Sequence, residues 1–495
     1  MNPFPFNNQY AKLGEAFYVK TRPESVADPA LITFNHDLAN ALGVPVVNAT
    51  ERVAVFSGNR VPEGAEPLAM AYAGHQFGNF VPQLGDGRAI LLGEIAAPDG
   101  GCFDVQLKGS GRTFYSRNGD GRAALGPVLR EYLVSEAMVK LGVPTTRALA
   151  AVTTGEEVAR ERLLPGGIIT RIASSFVRVG TFQYFAARGD VASIQKLADH
   201  VIERLYPQAR ETDNPYVALL QAVVDGQATL IAKWMQVGFI HGVMNTDNMS
   251  IACETIDYGP CAFMDAYSHH RVFSSIDRNG RYAYSQQPSI GLWNLTRLAE
   301  SLLPLFTDDN NAAVEIAQSV LESYIDTYNN AWLSGMRTKC GLTDTVDDAI
   351  KANDKALIEV LFNIMDDQHA DFTLTFTYLS QLSLEPCEQD DALRNLFTNP
   401  EQLDEWSVKW RDRLRHETQT DAQRQSAMNT VNPVYIPRNH QIEAAIRAAE
   451  DHNDFSVFHD LHDVLQNPHV QQVGKDNYML PPEPEEEVKL TFCGT

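Results

Sequence analysis

Cysteine is scarce in this sequence, and its scarcity limits the folds that the chain can adopt. There are 6 cysteines among 495 residues, and no two of them are spaced as Cys-x-x-Cys. A fold held together by disulfides is therefore excluded, and no Cys and His residues have the spacing of a zinc site.

Long apolar runs are also missing. No stretch approaches the roughly 18 apolar residues that a membrane-spanning helix requires. The chain starts Met-Asn-Pro-Phe-Pro-Phe-Asn-Asn, which has neither the basic start nor the apolar centre of a signal peptide. We therefore expect a cytoplasmic protein in a reducing compartment, without a membrane partner.

Basic residues are outnumbered in the chain as a whole. The sequence has 40 Lys and Arg against 63 Asp and Glu, which gives a net charge of −23. This balance argues against nucleic acid as a partner, because a phosphate backbone requires a basic surface. Residues 86–178 are the exception, since twelve Lys and Arg there outnumber ten Asp and Glu. Basic charge is thus concentrated where we expect phosphate groups to bind.

The most informative motif is His-Gly-Val-Met-Asn-Thr-Asp-Asn (residues 241–248), which is followed by Asp257-Tyr-Gly. Asn248 and Asp257 offer hard oxygen ligands, which suit Mg²⁺ held against the phosphates of a nucleotide. Asp247 is then available to accept a proton from an attacking hydroxyl. Protein kinases divide these roles among the Asp and Asn of a catalytic loop and the Asp of an Asp-Phe-Gly turn. A kinase-type acid would stand two residues after the histidine, where this chain has Val243.

Asp and Asn are also common in turns, where their side chains bond to the nearby backbone, so the motif alone could be structural. Its surroundings favour the metal site. Residues 230–240 predict a helix that runs into a short apolar stretch, and residues 249–252 and 255–256 predict two short strands. A helix, a loop, a hairpin and then Asp-x-Gly is the order that such a site requires.

A lysine that holds phosphate should lie upstream on a strand. Residues 103–108 alternate apolar and polar side chains, which predicts a strand ending at Lys108. A helix is predicted to open at Gly126-Pro127 and to run to Leu141. It carries Glu131 and Glu136, which lie about 140° apart around the helix axis, so only one can face the lysine. We choose Glu131, because kinase-like folds pair the strand lysine with a helix glutamate. Without the downstream motif, both groups would be ordinary surface charges.

Three Gly-x-Gly-Arg units occur within forty residues, at 85–88, 109–112 and 119–122. Glycine lets backbone N–H groups approach phosphate closely, and each arginine adds a bidentate donor. One such unit is also a plain turn signal, but three near a strand lysine favour phosphate binding. Arg171 and Arg178 follow seven residues apart, and they either join the phosphate site or belong to a solvated face.

Together these motifs resemble the selenoprotein O family. The resemblance runs from about residue 60 to the Trp-Asn-Leu segment at residues 293–295, and it is weaker towards the C-terminus. It rests on Gly-His-Gln-Phe-Gly (74–78), Leu-Gly-Asp-Gly-Arg (84–88), Gln-Leu-Lys-Gly-Ser-Gly-Arg (106–112), Arg-Asn-Gly-Asp-Gly-Arg (117–122) and the motif at 241–248.

The resemblance implies an α+β, protein-kinase-like two-lobed fold. Members of the family were first taken for pseudokinases. The implied activity is protein adenylylation. ATP binds in a reversed orientation, AMP passes to Ser, Thr or Tyr hydroxyls of protein substrates, and pyrophosphate leaves. Transfer of UMP from UTP is also attributed to the family, and the implied metal is Mg²⁺ or Mn²⁺.

Carried over by position, the resemblance gives Asp247 as proton acceptor, Asn248 and Asp257 as metal ligands, and Glu131 as the partner of Lys108. The implied nucleotide-binding residues are Gly85, Gly87, Arg88, Lys108, Asp120, Gly121, Arg171, Arg178 and Asp257. A cysteine or selenocysteine near the C-terminus is a further family feature, so Cys493 has either a redox role or none.

For the domain organisation we expect four parts. An N-terminal segment (1–60) packs on a strand-rich nucleotide-binding lobe (61–180), which precedes a helical lobe with the metal loop (181–330). A helical extension with a mobile tail (331–495) completes the chain. Two alternatives to adenylylation stay open. One is a conventional kinase that transfers the γ-phosphate, and the other is a catalytically silent nucleotide-binding scaffold, which the missing acid at position 243 would suit.

Overall fold

A computed structural model describes residues 4–45, 48–343 and 345–492 of the chain. Cys493 lies outside these residues, so its role stays a prediction. The strands are β1 (Tyr18–Lys20), β2 (Ala30–Phe34), β3 (Leu68–Met70), β4 (Gly74–Gln76), β5 (Asn79–Val81), β6 (Ala89–Ala96), β7 (Cys102–Lys108), β8 (Ala123–Ala124), β9 (Arg147–Ala159), β10 (Leu163–Ala173), β11 (Phe239–Ile240) and β12 (Ala262–Phe263).

The α-helices follow the same chain order. They are α1 (His36–Ala41), α2 (Ala49–Phe56), α3 (Leu125–Lys140), α4 (Val179–Ala186), α5 (Val191–Leu205), α6 (Pro215–Gln236), α7 (Gln287–Leu302), α8 (Asn310–Lys339), α9 (Asp348–Gln368), α10 (Phe372–Leu379), α11 (Asp390–Arg394), α12 (Pro400–Leu414), α13 (Asp421–Asn429), α14 (Asn439–His452) and α15 (Ser456–Leu465). Short 3₁₀ turns lie at Tyr10–Leu13, Pro207–Glu211, Thr246–Asn248, Tyr284–Gln286, Leu303–Leu305 and Asp476–Tyr478.

Eight of the described strands form one antiparallel sheet in the order β1-β3-β6-β7-β10-β9-β2, and β8 adds to β10. Its central strands carry buried apolar residues on both faces, such as Ile168 and Ile169 of β10. Both edge strands come from residues 18–34, so part of the segment predicted to precede the lobe lies within its sheet.

The register of β7 against β10 places three polar side chains on one face of the sheet. Gln106 stands opposite Arg171, and Lys108 stands opposite Ile169. Because residues two apart on a strand point to the same side, Gln106, Lys108 and Arg171 all project towards α3. The alternation of residues 103–108 therefore predicted the strand correctly, and pairing with β10 adds the arginine.

Helix α3 is buried almost all round. The sheet covers one side of it, and α14 and α15 from the C-terminal part cover another. Tyr132 packs edge-on against Phe458 with ring centroids 5.8 Å apart, and the Gly126 N–H donates to Glu450 Oε1 at 3.0 Å. The C-terminal helices thus fix the helix that carries Glu131.

Helices α4 to α8 share one apolar core with α3 and the sheet, and α9 to α13 pack on a second apolar core that includes Trp406 and Trp410. The mixture of helices and an antiparallel sheet confirms the predicted α+β class. None of the helices in the described ranges is long and apolar enough to cross a membrane.

Candidate active site

The loop at residues 241–248 is held by backbone and buried side-chain contacts. Helix α6 ends at Gln236, and β11 then pairs with β12. The buried His241 ring donates from Nε2 to the carbonyl of Ile256 at 2.9 Å, and burial lowers the pKa of His241. The neutral ring therefore ties the start of the loop to the residue before Asp257.

The hairpin predicted at residues 249–256 is wrong. Ser250 forms an isolated bridge with Arg178, and Thr255 forms one with Thr145. Cys253 and Asp257 adopt left-handed backbone angles, with φ of 56° and 59°, which interrupt an extended strand. The segment instead joins the ends of β9 and β10, and this places Asp257 beneath the sheet.

The carboxylate of Asp257 lies among three cations. Its Oδ1 lies 2.8 Å from Arg171 Nη1 and 3.3 Å from Lys108 Nζ, and its Oδ2 lies 3.2 Å from Arg178 Nη1. Burial alone would raise the pKa of Asp257, but the charges of Arg171, Arg178 and Lys108 outweigh burial and hold it well below its ordinary value. The carboxylate is therefore ionised at neutral pH.

Lys108 pairs with Glu131, not with Glu136. Lys108 Nζ lies 2.6 Å from Glu131 Oε2, and Arg171 Nη1 lies 3.2 Å from the other oxygen of the same carboxylate. Glu136 instead accepts from Arg147 Nη2 at 2.7 Å. Burial would raise the pKa of Glu131, but Lys108 and Arg171 lower it below its ordinary value.

Asp247 is almost fully buried, with 6% of its surface exposed. Its Oδ2 accepts from Gln76 Nε2 at 3.3 Å, whereas its Oδ1 has no hydrogen-bond partner among the described residues. Burial raises the pKa of Asp247 to about 6. A carboxylate with such a pKa is a better proton acceptor near neutral pH than an exposed one.

The donor set fits a magnesium or manganese ion. Asn248 Nδ2 donates to the carbonyl of Val243 at 3.0 Å, which leaves its Oδ1 as the atom available to a cation. The unpartnered Oδ1 of Asp247 and the carboxylate of Asp257 are the other oxygens on this side of the cavity. Mg²⁺ is commonly held by one or two carboxylates together with substrate phosphates, so these residues would suffice.

The glycine-rich turns pack against one another at the opposite wall. A Cβ on Gly85 would lie 2.3 Å from the Tyr115 ring, and one on Gly121 would lie 2.0 Å from the carbonyl of Gly111. Gly121 also has a φ of 67°, which favours glycine. Larger residues at these two positions would therefore push the turns apart.

All the predicted site residues except Glu131 line one cavity of about 440 Å³. Their side chains differ in burial and in the bonds that they make to other residues. Asp120 is already engaged, because its Oδ2 lies 2.8 Å from Arg160 Nη1. Lys108, Arg171 and Arg178 are its most buried basic side chains, at 8%, 2% and 3% exposure. The buried part of the cavity thus holds acids as well as cations, since Asp86 and Asp247 are buried there too, at 2% and 6% exposure.

Known proteins resemble this chain over almost its whole length. The family described as "Protein adenylyltransferase SelO" matches residues 2–466. The chain belongs to this family. It is 56% identical over 494 residues to "Protein nucleotidyltransferase YdiU" of Rhodopseudomonas palustris (strain BisB5), with 99% of each chain covered. It is also 56% identical over 497 residues to the protein of the same name from Rhizobium meliloti (strain 1021), with 100% of each covered. The resemblance drawn from the motifs is therefore confirmed.

Sequence reasoning missed a hairpin that contacts the loop at residues 241–248. It used the family motif at residues 74–78 only for recognition, but this motif forms β4 and the turn to β5. His75 N–H donates to Thr246 Oγ1 at 2.7 Å, and Phe77 N–H donates to Asn245 Oδ1 at 3.0 Å. A Cβ on Gly74 would lie 2.2 Å from Asp247 Oδ1, so only glycine fits there.

Two buried polar residues in the quoted motifs were also given no role. Gln106 accepts from Arg171 Nε at 3.1 Å and donates to Asp86 Oδ2 at 3.2 Å. Asp86 in turn lies 3.9 Å from Arg178 Nη2. Their residue types could have indicated this role, because a Gln or Asp among apolar strand residues needs a buried hydrogen-bond partner.

Proposed function

We propose that this member of the family transfers AMP from ATP to Ser, Thr or Tyr hydroxyls of other proteins and releases pyrophosphate. The observation that carries the proposal is the convergence, on one cavity, of the acids and amide at residues 247, 248 and 257 with three buried cations. A silent scaffold would not require Asp247 to be buried with an unpartnered oxygen. Family membership supports the same reaction.

In the proposed reaction the acceptor hydroxyl oxygen bonds to the α-phosphorus, and the bond from that phosphorus to the α–β bridging oxygen breaks. Asp247 orients the hydroxyl and accepts its proton. Lys108, Arg171 and their neighbours stabilise the charge that builds on the departing pyrophosphate. A Mg²⁺ or Mn²⁺ ion held by Asn248 and Asp257 would neutralise phosphate charge.

We further propose that the nucleotide enters with its phosphates first, which is the reversed orientation. Lys108, Arg171 and Arg178 are among the most buried side chains of the lining, and the β- and γ-phosphates carry the most charge of any part of ATP. In this orientation the α-phosphate lies nearer the cavity mouth, where a protein hydroxyl can approach. The eight-stranded sheet with α3 would act as the upper lobe of a kinase-like pair, and α4 to α8 as the lower lobe.

The transferred phosphate decides between this proposal and a conventional kinase. The protein is incubated with Mg²⁺ or Mn²⁺, an acceptor protein, and ATP labelled at either the α- or the γ-phosphate. We expect label on protein from the α position only, and none with Lys108→Ala. Label from the γ position alone would make the protein a kinase, and α-labelled UTP in parallel measures the nucleotide preference.

Replacing Gln76 with leucine should lower the turnover number about tenfold, the effect of one hydrogen bond to a charged group. The same loss should raise the pKa of Asp247 further, because the Gln76 hydrogen bond lowers it. The transfer rate should fall at low pH, where Asp247 becomes protonated. This acidic limb of the pH–rate profile should therefore move to higher pH in the variant. Asn79→Ala, an exposed residue of the same hairpin, is the control. A lower rate with an unmoved limb would mean that Gln76 acts only on hairpin stability.

A further inference from the structure

A second cavity, of about 400 Å³, shares no lining residue with the candidate active site. It lies where α3, α6 and α8 end. Four of its lining residues are basic, namely Lys140, Lys233, Lys339 and His469, and no Asp or Glu lines it in the described part of the chain. In a protein of net charge −23, a cavity lined by three lysines and a histidine without a carboxylate is unexpected.

Lys339 is the most unusual member of this group. Only 4% of its surface is exposed, and its ammonium makes no hydrogen bond or ion pair with any described residue. It lies 4.6 Å from the centre of the Phe376 ring. Burial lowers the pKa of Lys339 to about 7. Buried lysines normally have a paired acid, whereas among the described residues this one contacts the Phe372 and Phe376 rings and no carboxylate.

Lysines often gather at helix C-termini because the free carbonyls attract them. Among Lys140, Lys233 and Lys339, that explanation accounts only for Lys233. Lys233 Nζ donates to the carbonyl of Gly142 at 2.7 Å. The Lys339 carbonyl already accepts from Asn432 Nδ2 at 2.9 Å, and the Cys340 carbonyl accepts from Trp410 Nε1 at 2.9 Å. Among the described residues, the ammonium groups of Lys140 and Lys339 donate to no helix carbonyl.

We propose that this cavity binds a small phosphate-bearing anion. A doubly charged phosphate would give Lys339 the missing partner and neutralise the surrounding cations, since lysine binds phosphate as a point charge. The volume accommodates inorganic phosphate or the phosphate group of a small metabolite. The site is independent of the reaction proposed for the first cavity.

The test is a calorimetric titration of the full-length protein with inorganic phosphate, and separately with glucose 6-phosphate, at constant ionic strength and without nucleotide. The background is Lys108→Ala, which removes one of the three buried cations of the candidate active site and so weakens phosphate binding there. We expect saturable binding that Lys339→Met and Lys140→Gln each weaken about tenfold to a hundredfold, the range for one charge-assisted hydrogen bond. Lys409→Gln, an exposed lysine on α12, is the control and should leave the affinity unchanged.

Binding that is absent in the Lys108→Ala background, or that neither cavity variant weakens, overturns the proposal. Tighter binding of glucose 6-phosphate than of phosphate identifies a metabolite as the occupant, and the reverse identifies the free ion.

A second readout needs no variant at the buried lysine. Phosphate should slow the acetylation of Lys140 by acetic anhydride in the wild-type protein and leave that of Lys409 unchanged. Equal acetylation rates with and without phosphate would also reject the site.

Discussion

Replacing Asp257 with asparagine is expected to reduce AMP transfer about a thousandfold, at the upper end of the effect of losing one preorganised electrostatic group. Asparagine keeps the size of the side chain but removes the charge that Lys108, Arg171 and Arg178 surround. It also removes the proposed carboxylate ligand of the metal. The measurement is the initial rate of label transfer from α-labelled ATP to an acceptor protein at saturating nucleotide.

The same change should destabilise the protein without nucleotide, because breaking a buried ion pair costs about 3–5 kcal/mol. Asp265→Asn is a matched control. Its carboxylate is as exposed as that of Asp257, at 18%, and it is bound by the buried Arg438 away from the cavity. Asp265→Asn should lose stability but keep its transfer rate well below the unfolding temperature. If Asp257→Asn keeps a rate within about tenfold of the wild type, less than the smallest loss expected of one such group, the assignment of Asp257 is wrong.

The parts of the site predicted from the sequence are those with local signals. Strand alternation predicted β7 and the position of Lys108, and helix geometry showed that Glu131 and Glu136 could not both face it. The helix itself starts at Leu125, next to the predicted opening at Gly126-Pro127. These inferences need only neighbours within about five residues, so one sequence was enough.

Contacts between distant parts of the chain could not be predicted in this way. Phe34 of β2 pairs with Ala150 of β9, and Glu450 reaches the first turn of α3. The hairpin prediction at residues 249–256 failed for the same reason, because the backbone groups there pair with Arg178 and Thr145. A short apolar segment predicts a strand from its composition, but the choice of partner depends on tertiary packing.

Asp247→Asn should lower the transfer rate about a hundredfold to ten-thousandfold, the range for loss of a general base. It should also stabilise the protein without nucleotide. Burial raises the pKa of Asp247 to about 6, so the folded state holds its proton at pH values where the unfolded chain has lost it. Stability is therefore lost as pH rises from the ordinary carboxyl pKa to about 6, and the cost at neutral pH is about 3 kcal/mol. Asparagine removes that cost.

Activity should depend on pH in the opposite direction. Because only the ionised carboxylate accepts a proton, the wild-type rate should rise as pH increases through about 6 and level off above it. The measurement is the transfer rate and the thermal midpoint between pH 5 and 8, the window in which most proteins are stable. Glu254 is the control, because burial raises its pKa to about 7 and it bonds to Ser174 outside the cavity. Glu254→Gln should keep the acidic limb, whereas Asp247→Asn should lose it. An Asp247→Asn protein that is less stable than the wild type and equally active would make Asp247 a structural residue.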